Sequence, residues 1–244
     1  MDGLAVLVAA AVGAVGGALA GPVADRVGQA LYGPGTEGHD PEDLALAPLA
    51  TPTRTASRLV LGLVGAAALA GFADRLPDGK VVALFGALLF AYLAAMVVDL
   101  QYLRLPNRFT YPCAGLAVAG GIALSAHFDL PTVGIWVGAL GYAGLLMITR
   151  VSYQLVRGRE GMGLGDVKLA LSLGASAGWL GAALNDPPAL GALRLVIYAA
   201  LLGNLLGAVV GGLATRRVDR EFPFGPALVG GWVVVVLFAE SIST

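Results

Sequence analysis

The chain has 244 residues, a formal net charge of −1, 57% hydrophobic residues and 13% charged ones. A soluble domain carries roughly 45–50% apolar and about 25% charged residues, so the composition excludes an ordinary soluble fold and implies a surface that faces lipid. The basic residues form no stripe suited to nucleic acid, and the single cysteine, Cys113, excludes an intrachain disulfide and a cysteine-based zinc site.

The first apolar stretch covers residues 3–23. It contains Ala18-Leu19-Ala20, which has the form of a signal-peptide cleavage site. A secretory signal would start with positive residues, whereas this stretch follows Met1-Asp2 and is long enough to span, so a retained helix is expected. Gly13, Gly17 and Gly21 lie four apart on one face and predict a close helix–helix contact. Residues 24–56 follow, with Gly33-Pro34-Gly35, the acidic group Glu37, Asp40, Glu42 and Asp43, and then Pro48 and Pro52. They predict an acidic, flexible cytoplasmic loop, too short to fold as a domain of its own. Seven more apolar stretches fall near 57–73, 80–98, 110–127, 132–149, 165–183, 192–214 and 226–240. The expected fold is therefore all-α, a polytopic integral membrane protein with about eight transmembrane helices. Residues 1–56 form the first helix and its loop, and residues 57–244 the remaining membrane domain.

Positive charge sets the orientation. Alternate loops hold Arg26, Arg54 and Arg58; Arg104 and Arg108; Arg150, Arg157 and Arg159; and Arg216, Arg217 and Arg220. The loops of the other side hold only Arg75, Lys80 and Arg194, which is eleven basic residues against three. The excess marks the cytoplasmic side and puts both termini outside.

Ionisable residues in or at the edge of spanning helices are costly and are candidates for function. Asp99 ends the third apolar run, and Pro106 is expected to stop the helical path after it. Asp166 closes Gly161-Met162-Gly163-Leu164-Gly165-Asp166 and opens the sixth helix; the alternating glycines allow close backbone approach. Both carboxylates are expected at the cytoplasmic face and at similar depth. Two carboxyl groups sharing a site do not both ionise readily, so the pair holds one proton. The ionised member then acts as general base on water and the protonated member as general acid. The plainer alternative makes each aspartate an interfacial charge or a helix cap. Lys168, two residues past Asp166, either snorkels to the interface or pairs with a carboxylate.

Three segments carry a family resemblance. Asp99 to Thr110, with Leu105-Pro106-Asn107, resembles the first catalytic motif of the bacterial type IV prepilin peptidases. Gly163-Leu164-Gly165-Asp166-Val167-Lys168 resembles their Gly-x-Gly-Asp motif with its following lysine. Phe222-Pro223-Phe224-Gly225-Pro226 resembles the segment that opens their last helix. The resemblance runs from about residue 57 onward. It implies an aspartyl endopeptidase with Asp99 and Asp166 catalytic and with Pro106, Asn107, Gly163, Gly165, Lys168, Pro223, Gly225 and Pro226 supporting them or lining the substrate. No metal and no cofactor are expected. The implied substrate is a prepilin or pseudopilin helix held in the lipid bilayer, cut after a glycine at the end of a short basic leader, by an active site facing the cytoplasm in the inner membrane. Many members of that family carry two Cys-x-x-Cys pairs after the first helix, which support N-methylation of the trimmed pilin. Residues 24–56 hold no cysteine, so methylation is not predicted.

Two other readings share features with the chain. Presenilin-type and signal-peptide-peptidase-type proteases also use Gly-x-Gly-Asp, but their two aspartates lie on adjacent helices, whereas two predicted helices separate Asp99 from Asp166. An ion- or proton-coupled transporter would also use intramembrane acids. The missing inverted repeat and the placement of both acids at one face argue against it.

Overall fold

Long apolar runs in lipid must satisfy every backbone N–H and C=O internally, and helices do so. The computed structural model describes residues 3–32, 55–102, 105–158, 162–214 and 223–243. The helices are α1 (Gly3–Tyr32), α2 (Thr55–Arg75), α3 (Gly79–Tyr102), α4 (Asn107–Phe128), α5 (Val133–Arg157), α6 (Leu164–Leu184), α7 (Pro188–Ala214), α8 (Gly225–Leu237) and α9 (Ala239–Ser243). Seven of these are long and apolar enough to cross a membrane. The protein is an all-α, multi-pass membrane protein. The eighth predicted span, 226–240, is broken at Phe238 into α8 of 13 residues and the short α9. At 1.5 Å per residue α8 covers only ~20 Å, against a hydrocarbon core of about 30 Å.

Several helices run past their apolar runs. α1 continues through Pro22 to Tyr32 rather than ending near residue 23, because Ala24 to Tyr32 contain no strong helix breaker except Gly28. α5 runs on past Thr149 to Arg157, where Gly158 caps it at φ 68° and donates its N–H to the Gln154 carbonyl at 2.8 Å. Glycine adopts this left-handed geometry without a Cβ penalty. The acidic segment expected to be a loop lies, from residue 33 to 54, outside the described residues.

The chain divides into two compact units, Met1–Leu105 and Pro106–Thr244. In the first, α3 packs against α1 and α2, and α1 packs along α2. A Cβ at Gly13 would overlap the Gly65 carbonyl, and one at Gly17 the Leu61 carbonyl. The predicted glycine face is thus a backbone-to-backbone contact. The opposite face of α1 exposes Leu4, Leu7, Val8, Val12, Val15 and Leu19. This spacing is helical, with the apolar stripe turned outward as lipid requires.

In the second unit α6 is central and packs against α4, α5, α7, α8 and α9. Gly134 and Gly138 on α5 meet Gly178 and Gly174 on α6, again through backbone atoms. α7 returns against α6 through Gly191 and Gly181, and α8 returns against α7 through Gly231 and Gly203. Trp179 Nε1 donates to Ser125 Oγ at 3.1 Å, and Trp232 Nε1 donates to Ser176 Oγ at 2.9 Å. These contacts make α4, α6 and α8 run in the same direction, with α5 and α7 opposed. The starts of α4, α6 and α8 therefore share one end of this unit.

Candidate active site

The end of the second unit where α4, α6 and α8 begin gathers most of the residues singled out by sequence. Asp166 is the third residue of α6 and only 7% exposed. Its Oδ2 accepts the backbone N–H of Gly163 at 3.2 Å, the reciprocal half of a capping box. Gly163 precedes the helix in extended geometry, at φ −71° and ψ 152°. A Cβ added there would make only ordinary contacts, nearest Asp166 Oδ2 at 3.6 Å. Within the folded chain the exposed Gly163 therefore has room to spare, and Gly165 occupies the first turn of α6.

Lys168 has its partners, among the described residues, on α4. Its Nζ donates to Asn107 Oδ1 at 2.7 Å and stands 5.5 Å from the centre of the Tyr111 ring. The partners are 61 residues apart in sequence, so this contact ties the first turn of α4 to the first turn of α6. Pro106 is the residue before α4, with φ −71°, and its carbonyl accepts the N–H groups of Phe109 and Thr110. It thus opens α4, as its fixed φ suits, and the described part of α3 ends before it at Tyr102. Thr110, one turn into α4, is fully buried, and its hydroxyl has no hydrogen-bond partner among the described residues.

Pro223 and Phe224 lead into α8; Gly225 is its first residue and Pro226 sits in its first turn. The Phe224 carbonyl accepts the N–H groups of Ala227 and Leu228. The Phe224 ring lies on Gly207 of α7, where any side chain would collide with it.

Asp99 belongs to the first unit. It lies in the last turn of α3 and is 4% exposed. α4 and α5 lie between the two aspartates along the chain, which is the order expected of the prepilin-peptidase motifs. Leu103 and Arg104, inside the first motif, lie outside the described residues. Among the described residues no group of three His, Cys, Asp or Glu side chains is placed to hold a metal ion.

One cluster was missed by sequence reasoning. In the first unit Gln101 Nε2 donates to Asp25 Oδ1 at 2.7 Å, and Arg58 Nη2 lies 3.9 Å from Asp25 Oδ2. Asp25 and Gln101 are each 9% exposed. The available signal was a polar residue just past the apolar run of each of two neighbouring helices, 3–23 and 80–98.

A family model described as the type IV leader peptidase family matches residues 84–212. That span includes Asp99, Asn107, Asp166 and Lys168 and stops before Pro223. The chain is 34% identical over 182 residues to a prepilin leader peptidase/N-methyltransferase of Burkholderia pseudomallei strain 1026b, covering 74% of this chain and 53% of that protein. A protein of the same name from Xanthomonas campestris pv. campestris is 35% identical over 62% of this chain and 49% of its own length. Another, from Neisseria gonorrhoeae, is 35% identical over 63% and 48%. The chain thus spans about half the length of the curated relatives it matches. No solved structure matches it significantly. With the family model covering more than half of the chain, both aspartates included, the chain belongs to the type IV leader peptidase family.

Proposed function

We propose that the protein is a membrane aspartyl endopeptidase that removes the leader peptide from type IV prepilins or pilin-like proteins. The observation that carries this reading is the family match spanning Asp99 and Asp166, each buried at the end of a helix. One aspartate, ionised, takes a proton from water; the water oxygen attacks the scissile carbonyl carbon; the other aspartate, protonated, gives its proton to the departing amide nitrogen. Asn107, Lys168 and the Pro106 turn hold the entrance of α4 against that of α6, and Gly163 and Gly165 set the turn before and after the start of α6. Pro223, Gly225 and Pro226 shape the start of α8 at the same end of the unit. In this reading residues 57–244 form the peptidase domain, the enzyme sits in the inner membrane, and the active site faces the cytoplasm, where the arginine-rich loops belong by the positive-inside rule. The substrate's apolar helix lies in the bilayer beside it. Cleavage alone is assigned, because residues 24–56 hold no cysteine for a zinc site.

Incubating the purified protein with a prepilin in detergent or liposomes, and sequencing the new N terminus, tests the reading. A single cut between the leader and the apolar helix is expected. An intact substrate, or a cut inside the apolar helix, would remove it.

The Lys168–Asn107 contact yields a smaller effect. A hydrogen bond of this kind is worth about 0.5–1.5 kcal/mol, and its exposed end reduces that. Lys168→Met is expected to lower kcat/KM for leader removal about two- to tenfold. Asn107→Ala in the same background should add little, since the two side chains act as one pair.

A further inference from the structure

We propose that Asp25, outside residues 84–212 that the family model matches, is a positioning residue that holds the Asp99 turn of α3 in place through Gln101. This rests on the reading of Asp99 as catalytic.

Asp99 lies in the final turn of α3, which ends at Tyr102. The last four carbonyls of a helix lack intrahelical partners, so this turn is where a helix frays. A catalytic carboxylate must nevertheless be held closely, because a displacement of about 1 Å costs a reaction on the order of a hundredfold. Something must keep this turn wound.

Gln101 is the handle. It follows Asp99 by two residues, which puts it ~200° around the helix axis. Leu100, between them, is 49% exposed, while Asp99 and Gln101 are buried. Gln101 Nε2 donates to Asp25 Oδ1 at 2.7 Å, a bond strengthened by the acceptor's charge. With Gln101 fixed, the turn can neither unwind nor rotate, and the direction of Asp99 is set with it. Asp25 in turn is anchored on α1, which packs along both α2 and α3. Arg58 Nη2, 3.9 Å from Asp25 Oδ2, adds a third helix to the cluster. Arg58 is 43% exposed, so its share is the smaller one. The extension of α1 beyond its apolar run has its purpose here: a helix ending at residue 23 would not deliver Asp25.

The test uses the full chain in detergent with a prepilin substrate, and reads both turnover and amide hydrogen exchange at residues 98–102. Asp25→Ala is expected to lower kcat about ten- to a hundredfold with KM nearly unchanged, and to speed exchange in that turn. Gln101→Ala should do the same, and the double variant should be no worse than either single one. Asp25→Asn keeps an oxygen to accept from Gln101 and should recover most of the lost turnover. A normal kcat in folded Asp25→Ala, or unchanged exchange at 98–102, overturns the proposal. Additive losses in the double variant do so as well. If the unaltered protein does not cut the prepilin, the peptidase reading fails on its own, and faster exchange in Asp25→Ala still supports the clamp.

Discussion

Asp166→Asn is expected to abolish leader-peptide cleavage while leaving the fold intact. Loss of a general acid or base typically costs 10²–10⁴-fold in rate, so residual turnover should fall at or below ~1% of the unaltered enzyme. The fold should survive because the asparagine carbonyl replaces Asp166 Oδ2 as acceptor for the Gly163 N–H. Asp166→Ala removes that acceptor as well and is expected to lose a further ~0.5–1.5 kcal/mol of stability. Comparing the two variants by turnover and by thermal unfolding therefore separates chemistry from capping. Asp99→Asn should behave as Asp166→Asn does, since neither amide can accept or release the proton. Full processing by either asparagine variant would end the aspartyl-protease reading, whatever the family.

Gly174→Ala is expected to be among the most damaging single methyl groups in the second unit. Its Cβ would overlap the Gly138 carbonyl and approach Tyr142 Cβ to 2.9 Å. Overpacking of this kind costs about 1–3 kcal/mol where side chains can adjust. Here the obstruction is backbone, which moves only by separating α5 from α6 along their length. Gly138→Ala meets the Gly174 carbonyl from the other side and should behave alike. The melting temperature in detergent is expected to fall by roughly 2–12 °C, at about 2–4 °C per kcal/mol for a chain of this size. Gly144→Ala is the matched comparison, on the same helix with nothing within 4 Å of the new methyl. It should be neutral or stabilising by up to about 1 kcal/mol. Equal melting of all three would show that the α5–α6 contact is not glycine-dependent.

Much of the architecture was legible because lipid imposes a length and an apolar composition on each crossing. The spans near 57–73, 80–98, 110–127, 165–183 and 192–214 lie within helices of the structure, and 132–149 does so from its second residue, Val133. Their ends were less legible, because helices stop where capping and packing stop them, not where hydrophobicity does. The polar residues from Arg150 onward read as loop, whereas α5 runs on to Arg157 and is capped by Gly158. Pro106 lies beyond the end of α3, as expected, and also opens α4. At the site, Asp99 and Asp166 were visible as costly charges at helix ends. The Lys168–Asn107 bond was not, since nothing local links residues 61 apart. Asp25 was hidden for a different reason. A charge just beyond an apolar run looks like an interfacial residue, and only the neighbour that covers it shows otherwise.

The two indole-to-serine hydrogen bonds of α6 have a practical consequence. The chain has three tryptophans, Trp136, Trp179 and Trp232, and all belong to the unit Pro106–Thr244. Trp179 and Trp232 are buried with their N–H groups bonded, whereas Trp136 is about half exposed on α5. Tryptophan emission, excited at wavelengths that tyrosine does not absorb, is therefore an optical probe of the Asp166-bearing unit alone, and the Asp99-bearing unit, which holds tyrosines but no tryptophan, is dark to it. An unfolding curve followed by emission speaks for one unit, while far-ultraviolet dichroism speaks for both. Any gap between the two curves measures how independently the carriers of the two aspartates come apart.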